Sequence, residues 1–193
     1  MGTGKASLSS MHRLFVALEP PPPVRDALLA AMGGVAGARW QRDDQLHLTL
    51  RFIGEVDRHA AQDIAAALAG IVSAPFDLAL AAPGVFDKRG RVDTLWIGVS
   101  PHDAVAALHR KVDAALLRVG VPPDTRSFLP HVTIARFARS AGALAAGFVP
   151  PRPLGGVQWP VAGFALYESS LGHDGADYRI VERYRLAPRQ SPC

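Results

Sequence analysis

The chain has 193 residues, is 49% hydrophobic and carries a net charge of +4. It is long enough for one domain, or two lobes on a shared core, burying about 70% of its unfolded surface without metal or disulfide. Its one cysteine, Cys193, excludes an intramolecular disulfide and a cysteine-built metal site. No stretch nears the roughly 18–20 uninterrupted apolar residues of a transmembrane helix, and Met1 to Ser10 lacks the apolar region of a signal peptide, so a soluble, cytoplasmic protein is expected.

Met1 to His12 is polar and rich in glycine and serine, and reads as a disordered tail. Its Gly2-Thr3-Gly4-Lys5 lacks the upstream glycine, preceding strand and following helix of a phosphate loop. Arg13 to Leu18 reads as a strand stopped by Pro20 to Pro23. Val24 to Met32 reads as a helix ended by Gly33-Gly34, Arg39-Trp40 as a short strand, and Gln41 to Gln45 as a polar turn. A strand over 46–53 is ended by Gly54, and a helix comes next over Ala60 to Ile71 with Ile64, Leu68 and Ile71 on one face.

Phe76 to Ala82 and Leu95 to Val99 read as strands joined through the loop Asp87 to Arg91. Ala104 to Val119 is an amphipathic helix burying Val105, Leu108, Val112, Leu116 and Val119, with Gly120 as the residue that ends it. A strand over 130–137, a helical turn over Ala141 to Phe148, and two closing strands, Gln158 to Glu168 and Tyr178 to Leu186, complete the reading. From Ala187 on the chain reads as unstructured; a single domain is placed at 13–187, between tails at 1–12 and 188–193.

Strands mixed with three helices and linked by short loops argue for an α+β fold with mostly antiparallel sheet. The order strand, helix, strand recurs in both halves. The expected architecture is therefore bilobal, with two lobes related by a pseudo-twofold, helices outside, and a cleft between them.

Two stretches carry the chemistry, Leu46-His47-Leu48-Thr49-Leu50-Arg51-Phe52 and Pro130-His131-Val132-Thr133-Ile134-Ala135-Arg136-Phe137. In each, histidine and threonine alternate with apolar residues at period two, which sets the polar pair on one face of a half-buried strand. A single histidine on a strand face is ordinarily structural; a fold has no packing reason to repeat the polar pair on two strands. Two imidazoles with an unperturbed pKa of about 6.5 can serve as base and acid near neutral pH, and in-line displacement at phosphorus uses such a pair. The threonine hydroxyls can donate to non-bridging phosphate oxygens. The set has no need of a metal, and as zinc ligands His47 and His131 would lack the further ligand such a site requires.

No Gly-x-Ser-x-Gly elbow marks a serine hydrolase. The other histidines, His12, His59, His102, His109 and His173, are expected at the surface. The basic residues are 18 arginines and three lysines. That permits an anionic substrate, since the guanidinium fork suits phosphate, but no run of four basic residues marks a nucleic-acid tail.

The paired His-x-Thr strands, the opening Arg13 to Leu18, Arg39-Trp40 before the first motif, and Phe128-Leu129-Pro130 before the second resemble the 2H phosphoesterases. Among these, the chain is similar to the bacterial and archaeal RNA 2′,3′-cyclic phosphodiesterases, historically called 2′-5′ RNA ligases, over about residues 13 to 187. The resemblance implies a substrate that is RNA with a 2′,3′-cyclic phosphate end, or a cyclic nucleotide, opened to a 2′-phosphate without metal or cofactor. It implies His47 as the proton donor to the leaving 3′ oxygen, His131 as the base for water, and Thr49 and Thr133 as phosphate-oxygen contacts. It implies Arg136 as a nucleotide contact and Phe15 as an aromatic near the base, and Arg51 is counted with Arg136 among the basic side chains that draw RNA into the cleft.

Where such relatives often have Gly-Pro-x-Tyr after Glu-Ser, this chain has Glu168-Ser169 and then Gly175-Ala176-Asp177-Tyr178. The conformation of that loop is left open. Two other readings keep the cleft: 2′-5′ ligation of tRNA halves, the reverse reaction, and an RNA-end binding module without turnover, which the intact histidines disfavour. A monomer is expected, because two lobes in one chain complete the site.

Overall fold

The computed structural model describes residues 11–88, 91–138, 147–172 and 175–187. Its elements are β1 (His12–Leu18), α1 (Pro22–Ala30), β2 (Ala38–Trp40), a 3₁₀ turn (Asp43–Gln45), β3 (Leu48–Val56), α2 (Arg58–Ala69), β4 (Phe76–Asp87), β5 (Val92–Ser100), α3 (His102–Arg118), β6 (His131–Phe137), β7 (Gln158–Val161), β8 (Gly163–Gly172) and β9 (Gly175–Arg185). The strands run in the order β7-β4-β5-β6-β3-β1-β8-β9, with β2 also beside β6. Every pairing among the described residues is antiparallel.

The lobes meet where β3 and β6 pair through Leu48 and Val132. Outward from that point lie β3-β1-β8-β9 on one side and β6-β5-β4-β7 on the other. β1-α1-β3 and β5-α3-β6 are matching units, so the expected pseudo-twofold has its axis between the two motif strands.

Local chemistry explains the helices. Asp57 caps α2 by accepting the Ala60 N–H at 2.9 Å. α3 buries Val105, Leu108, Val112, Ala115 and Leu116, a stripe at helical spacing. It ends as expected at Gly120, with φ +83; the Val121 N–H bonds to Leu116 O and the Gly120 N–H to Leu117 O, each at 3.1 Å, a Schellman closure that only a residue tolerant of positive φ accommodates cheaply. α1 starts at Pro22, two residues before the expected start, because first-turn N–H groups have no helical partner and proline loses nothing there.

β1 is buried on both faces. Leu14, Val16 and Leu18 join the main core under the helices, while Phe15 and Ala17 join a second cluster with Ala165 and Tyr167, flanked by Phe52, Tyr178 and Ile180. That accounts for an unbroken apolar run where a one-sided strand would alternate.

Several boundaries differ from the sequence expectation. His12, assigned to the tail, opens β1 and sits 2.6 Å from Glu168 through Nδ1; residues 1–10 and 188–193 lie outside the described residues. Ala187, read as unstructured, forms a bridge with Ser73. Gly54 does not end β3: it takes φ +96 at a bulge opposite Leu14 and Phe15, and the strand continues to Val56. β4 runs through Pro83 to Asp87 by a further register shift.

Gln158 to Glu168, expected as one strand, breaks at Ala162. β7 pairs with β4 in one lobe and β8 with β1 in the other. Gly163 permits this switch, since a Cβ there would lie 2.6 Å from Tyr184 O. β8 and β9 form a hairpin paired up to Gly172 and Gly175, and His173, expected at the surface, lies outside the described residues. So does most of the helical turn expected over 141–148.

Gly84 is paired with Trp96 across β4 and β5, and a Cβ there would overlap the indole. Gly84→Ala is therefore expected to destabilise by about 1–3 kcal/mol, the usual scale of overpacking. At roughly 2–4 °C per kcal/mol for a chain of this size, a thermal melt reads that directly; an unchanged Tm would show that the indole moves freely.

Candidate active site

The Leu48–Val132 pair organises the site. Both side chains are fully buried, so their sequence neighbours His47, Thr49, His131 and Thr133 present to the opposite side. In an antiparallel pair the residue before one partner faces the residue after the other, which sets His47 towards Thr133 and Thr49 towards His131. The four motif residues line one cleft, as expected.

Each histidine is held the same way. His47 Nδ1 lies 2.8 Å from Gln45 O, and His131 Nδ1 lies 2.7 Å from Leu129 O. A carbonyl only accepts, so both Nδ1 atoms carry the proton and donate it, which leaves both Nε2 atoms for the cleft. Burial lowers the pKa of His47 to about 4, against the opposing pull of the Gln45 bond, and the charges of Arg136 and His131 lower it further. His131 is also lowered, chiefly by burial, with the Leu129 bond opposing and Arg136 adding to the shift. With both values lowered, both imidazoles are neutral at pH 7, where a base and acid pair needs one protonated.

Strict alternation fails in both motif strands, at the same place. β1 pairs Val16 with Arg51 and Ala17 with Thr49, skipping Leu50; β5 pairs Leu95 with Ala135 and Trp96 with Thr133, skipping Ile134. Each is a β-bulge three residues after the histidine, and a bulge reverses the facing of the residues beyond it. The fifth residue after each histidine, Phe52 and Arg136, therefore turns into the cleft, while the fourth, Arg51 and Ala135, turns inward to burial.

This corrects the expectation for Arg51. It is 5% exposed, donates from Nε to Asp113 at 2.7 Å and from the guanidinium to Phe52 O and Pro122 O, and lies 3.5 Å from Asp124. Its donors are spent inside the protein, where they anchor the segment leading to His131. Asp124, held mainly by Arg126 and further by Arg51, has its pKa lowered to about 2. His109, expected at the surface, stacks on Phe128 of the same segment with ring centroids 4.0 Å apart and lies 2.8 Å through Nδ1 from Leu50 O.

Aromatic walls flank both catalytic candidates. Phe15 lies 4.9 Å from the His47 ring and stacks on Tyr167 at 4.9 Å, with Tyr178 edge-on to His47 at 5.0 Å. Phe86 meets His131 edge-on at 4.9 Å, and Trp96 lies 5.7 Å from it. Phe15 is 3% exposed, so it backs His47 more than it offers a free face. Sequence reasoning misses Phe52, Tyr178, Phe86 and Trp96. For Phe52 a signal exists: if Arg136 faces the cleft, alternation must break after Thr133, and the same break after Thr49 brings Phe52 in and takes Arg51 out.

The cleft has two arms. One, of about 670 Å³, runs past Phe15, Arg13, Glu55, Ser169 and Leu171; the other, of about 490 Å³, runs past Phe86, Thr94, His109, Phe128 and Leu129. His47, Thr49, Phe52, Arg136 and Tyr178 line both, so the arms meet at the motifs. Among the described residues no three His, Cys, Asp or Glu side chains are grouped to hold a metal ion, and no helix is long and apolar enough to cross a membrane.

Comparison with known proteins agrees with this arrangement. Residues 20–172 match the model of the 2′-5′ RNA ligase superfamily. The chain is 35% identical over 186 residues to the RNA 2′,3′-cyclic phosphodiesterase of Thermus thermophilus, covering 90% of each. It is 30% identical over 184 residues to the protein of that name from Escherichia coli, covering 93% of this chain and 99% of the relative. The crystal structure of E. coli LigT complexed with 3′-AMP superposes with a TM-score of 0.76 at 27% identity, over 92% of this chain and 99% of LigT. With its curled antiparallel sheet and its two His-x-Thr strands meeting in one cleft, the chain belongs to the 2′-5′ RNA ligase superfamily, a group of 2H phosphoesterases.

Proposed function

We propose that the protein hydrolyses the 2′,3′-cyclic phosphate ends of RNA to 2′-phosphates, with the two histidines as base and acid and without a metal. His131 Nε2 takes a proton from water as its oxygen bonds to phosphorus. The bond from phosphorus to the 3′ oxygen breaks, and that oxygen takes a proton from His47 Nε2. Thr49 and Thr133 donate to the non-bridging oxygens, where charge is held through the displacement, and Arg136 adds a cation at the meeting of the two arms.

What carries the reading is the pair of identically tethered imidazoles, each with Nδ1 committed to a carbonyl and Nε2 available, in a cleft large enough for a nucleotide. The relatives named for this activity, and LigT crystallised with 3′-AMP, support the substrate class.

Incubation with 2′,3′-cyclic AMP in EDTA should yield 2′-AMP. Inactivity restored by zinc would overturn the metal-free mechanism, and inactivity with retained RNA binding would favour a binding module. Affinity for an oligonucleotide should also fall more steeply with salt than affinity for a mononucleotide, since more counterions are released. Equal slopes would point to a small-molecule substrate.

A further inference from the structure

The sequence places Arg39 in a short strand, and the family resemblance gives it no role of its own. In the fold it is the register partner of Arg136 across β2 and β6, and Thr94 of β5, which lines the cleft, is the partner of Arg136 on the other edge. Directly opposed residues of antiparallel strands share a face, so Arg39, Arg136 and Thr94 form one row across three strands.

Like charges directly opposed in a sheet are destabilising. Six other arginines, Arg25, Arg42, Arg51, Arg126, Arg179 and Arg183, each pair with a carboxylate. Among the described residues neither Arg39 nor Arg136 has a carboxylate partner, and both are exposed. Asp44 and Asp177 at this edge are both engaged by Arg42.

The space beside Arg39 is kept by backbone. Gly175, at φ +134, would carry a Cβ 3.2 Å from Arg39 Nη1, so a side chain there would press on the guanidinium. Ala176, the next residue, lines the arm of the cleft on the His47 side and accepts the Gln45 amide at 2.8 Å. Gln45 also supplies the carbonyl that orients His47. Arg39 thus stands at the rim of the arm where the nucleoside leaving from His47 would lie.

We infer that Arg39 and Arg136 together bind a phosphodiester of the RNA strand, the one 5′ to the terminal nucleoside, and that this second phosphate site favours RNA ends over cyclic mononucleotides. This rests on the function proposed above. One phosphodiester carries a single negative charge and two non-bridging oxygens, which suits two opposed guanidinium groups and relieves their repulsion. A cyclic mononucleotide with a free 5′-hydroxyl has nothing to place there.

The test compares wild type, Arg39→Ala and Arg39→Gln on three substrates: a short oligonucleotide ending in a 2′,3′-cyclic phosphate, 2′,3′-cyclic AMP, and 2′,3′-cyclic AMP bearing a 5′-phosphate. Loss of charge-assisted hydrogen bonds should lower the oligonucleotide-to-mononucleotide ratio of kcat/KM by about tenfold or more. The log–log salt slope for the oligonucleotide should become shallower by about 1, and the 5′-phosphorylated nucleotide should share the oligonucleotide's sensitivity. An equal loss on all three substrates, or no loss on any, overturns the site. If wild type opens none of the three, the proposed function itself fails, and that outcome is distinct. Thermal melts of both variants separate a folding defect from a binding one.

Discussion

His131→Ala and His47→Ala should each lower kcat by about 10² to 10⁴, the usual size of one general acid–base contribution. The double variant should fall much less than the product of the two losses, because groups acting on one proton path are not additive. The leaving group tells the two apart. A p-nitrophenyl phosphodiester releases an oxygen that needs no proton, so it should restore rate to His47→Ala and leave His131→Ala impaired. Rescue of His131→Ala alone would exchange the two roles, and rescue of both or of neither would remove them.

Proton affinities in the cleft lead to the second expectation. His47, with its pKa lowered to about 4 by burial, is protonated in roughly one molecule per thousand at pH 7, by the tenfold-per-unit rule. In the proposed role of acid, a group so depleted needs the anionic substrate to recharge it, since a phosphate placed against the imidazole favours the cation. The profile of kcat/KM reports the free enzyme and that of kcat the complex. Both histidines are lowered in the free protein, so the alkaline limb of kcat/KM should fall below the ordinary histidine value of about 6.5. The alkaline limb of kcat should lie at least about one pH unit higher. Rates over a broad pH range at low and saturating substrate measure both limbs; coincident limbs would mean that substrate does not reset His47. Arg136→Gln removes a positive charge that lowers both histidines, so it should move the alkaline limb of kcat/KM upward, and a downward move would contradict the geometry.

Legibility in the sequence tracks the range of each interaction. His-x-Thr with apolar residues between is a local pattern, and pleat geometry alone puts the polar pair on one face. α3 is legible because its stripe and its closing glycine lie within one turn of the residues they serve. The first lobe's two-sided burial is present in the apolar run of β1 but not its meaning, since Phe15 and Ala17 find their partners in β8 and β9, about 150 residues on.

What the sequence by itself determined is the pair of His-x-Thr motifs, the α+β class, the duplicated strand-helix-strand units and the superfamily. Tertiary structure alone decided which way the residues after each motif face. A bulge is set by register with the neighbouring strand, here β1 against β3 and β5 against β6, and a one-residue shift exchanges the two faces. For that reason Arg51 turned inward to Asp113 while Phe52 and Arg136 entered the cleft. Protonation was likewise beyond local reading: imidazole has its ordinary pKa in any sequence, and only burial behind Phe15 and beside Arg136 makes His47 neutral. The opposition of Arg39 and Arg136, 97 positions apart in the chain, exists only because β2 pairs with β6, a contact between distant segments that no periodicity encodes.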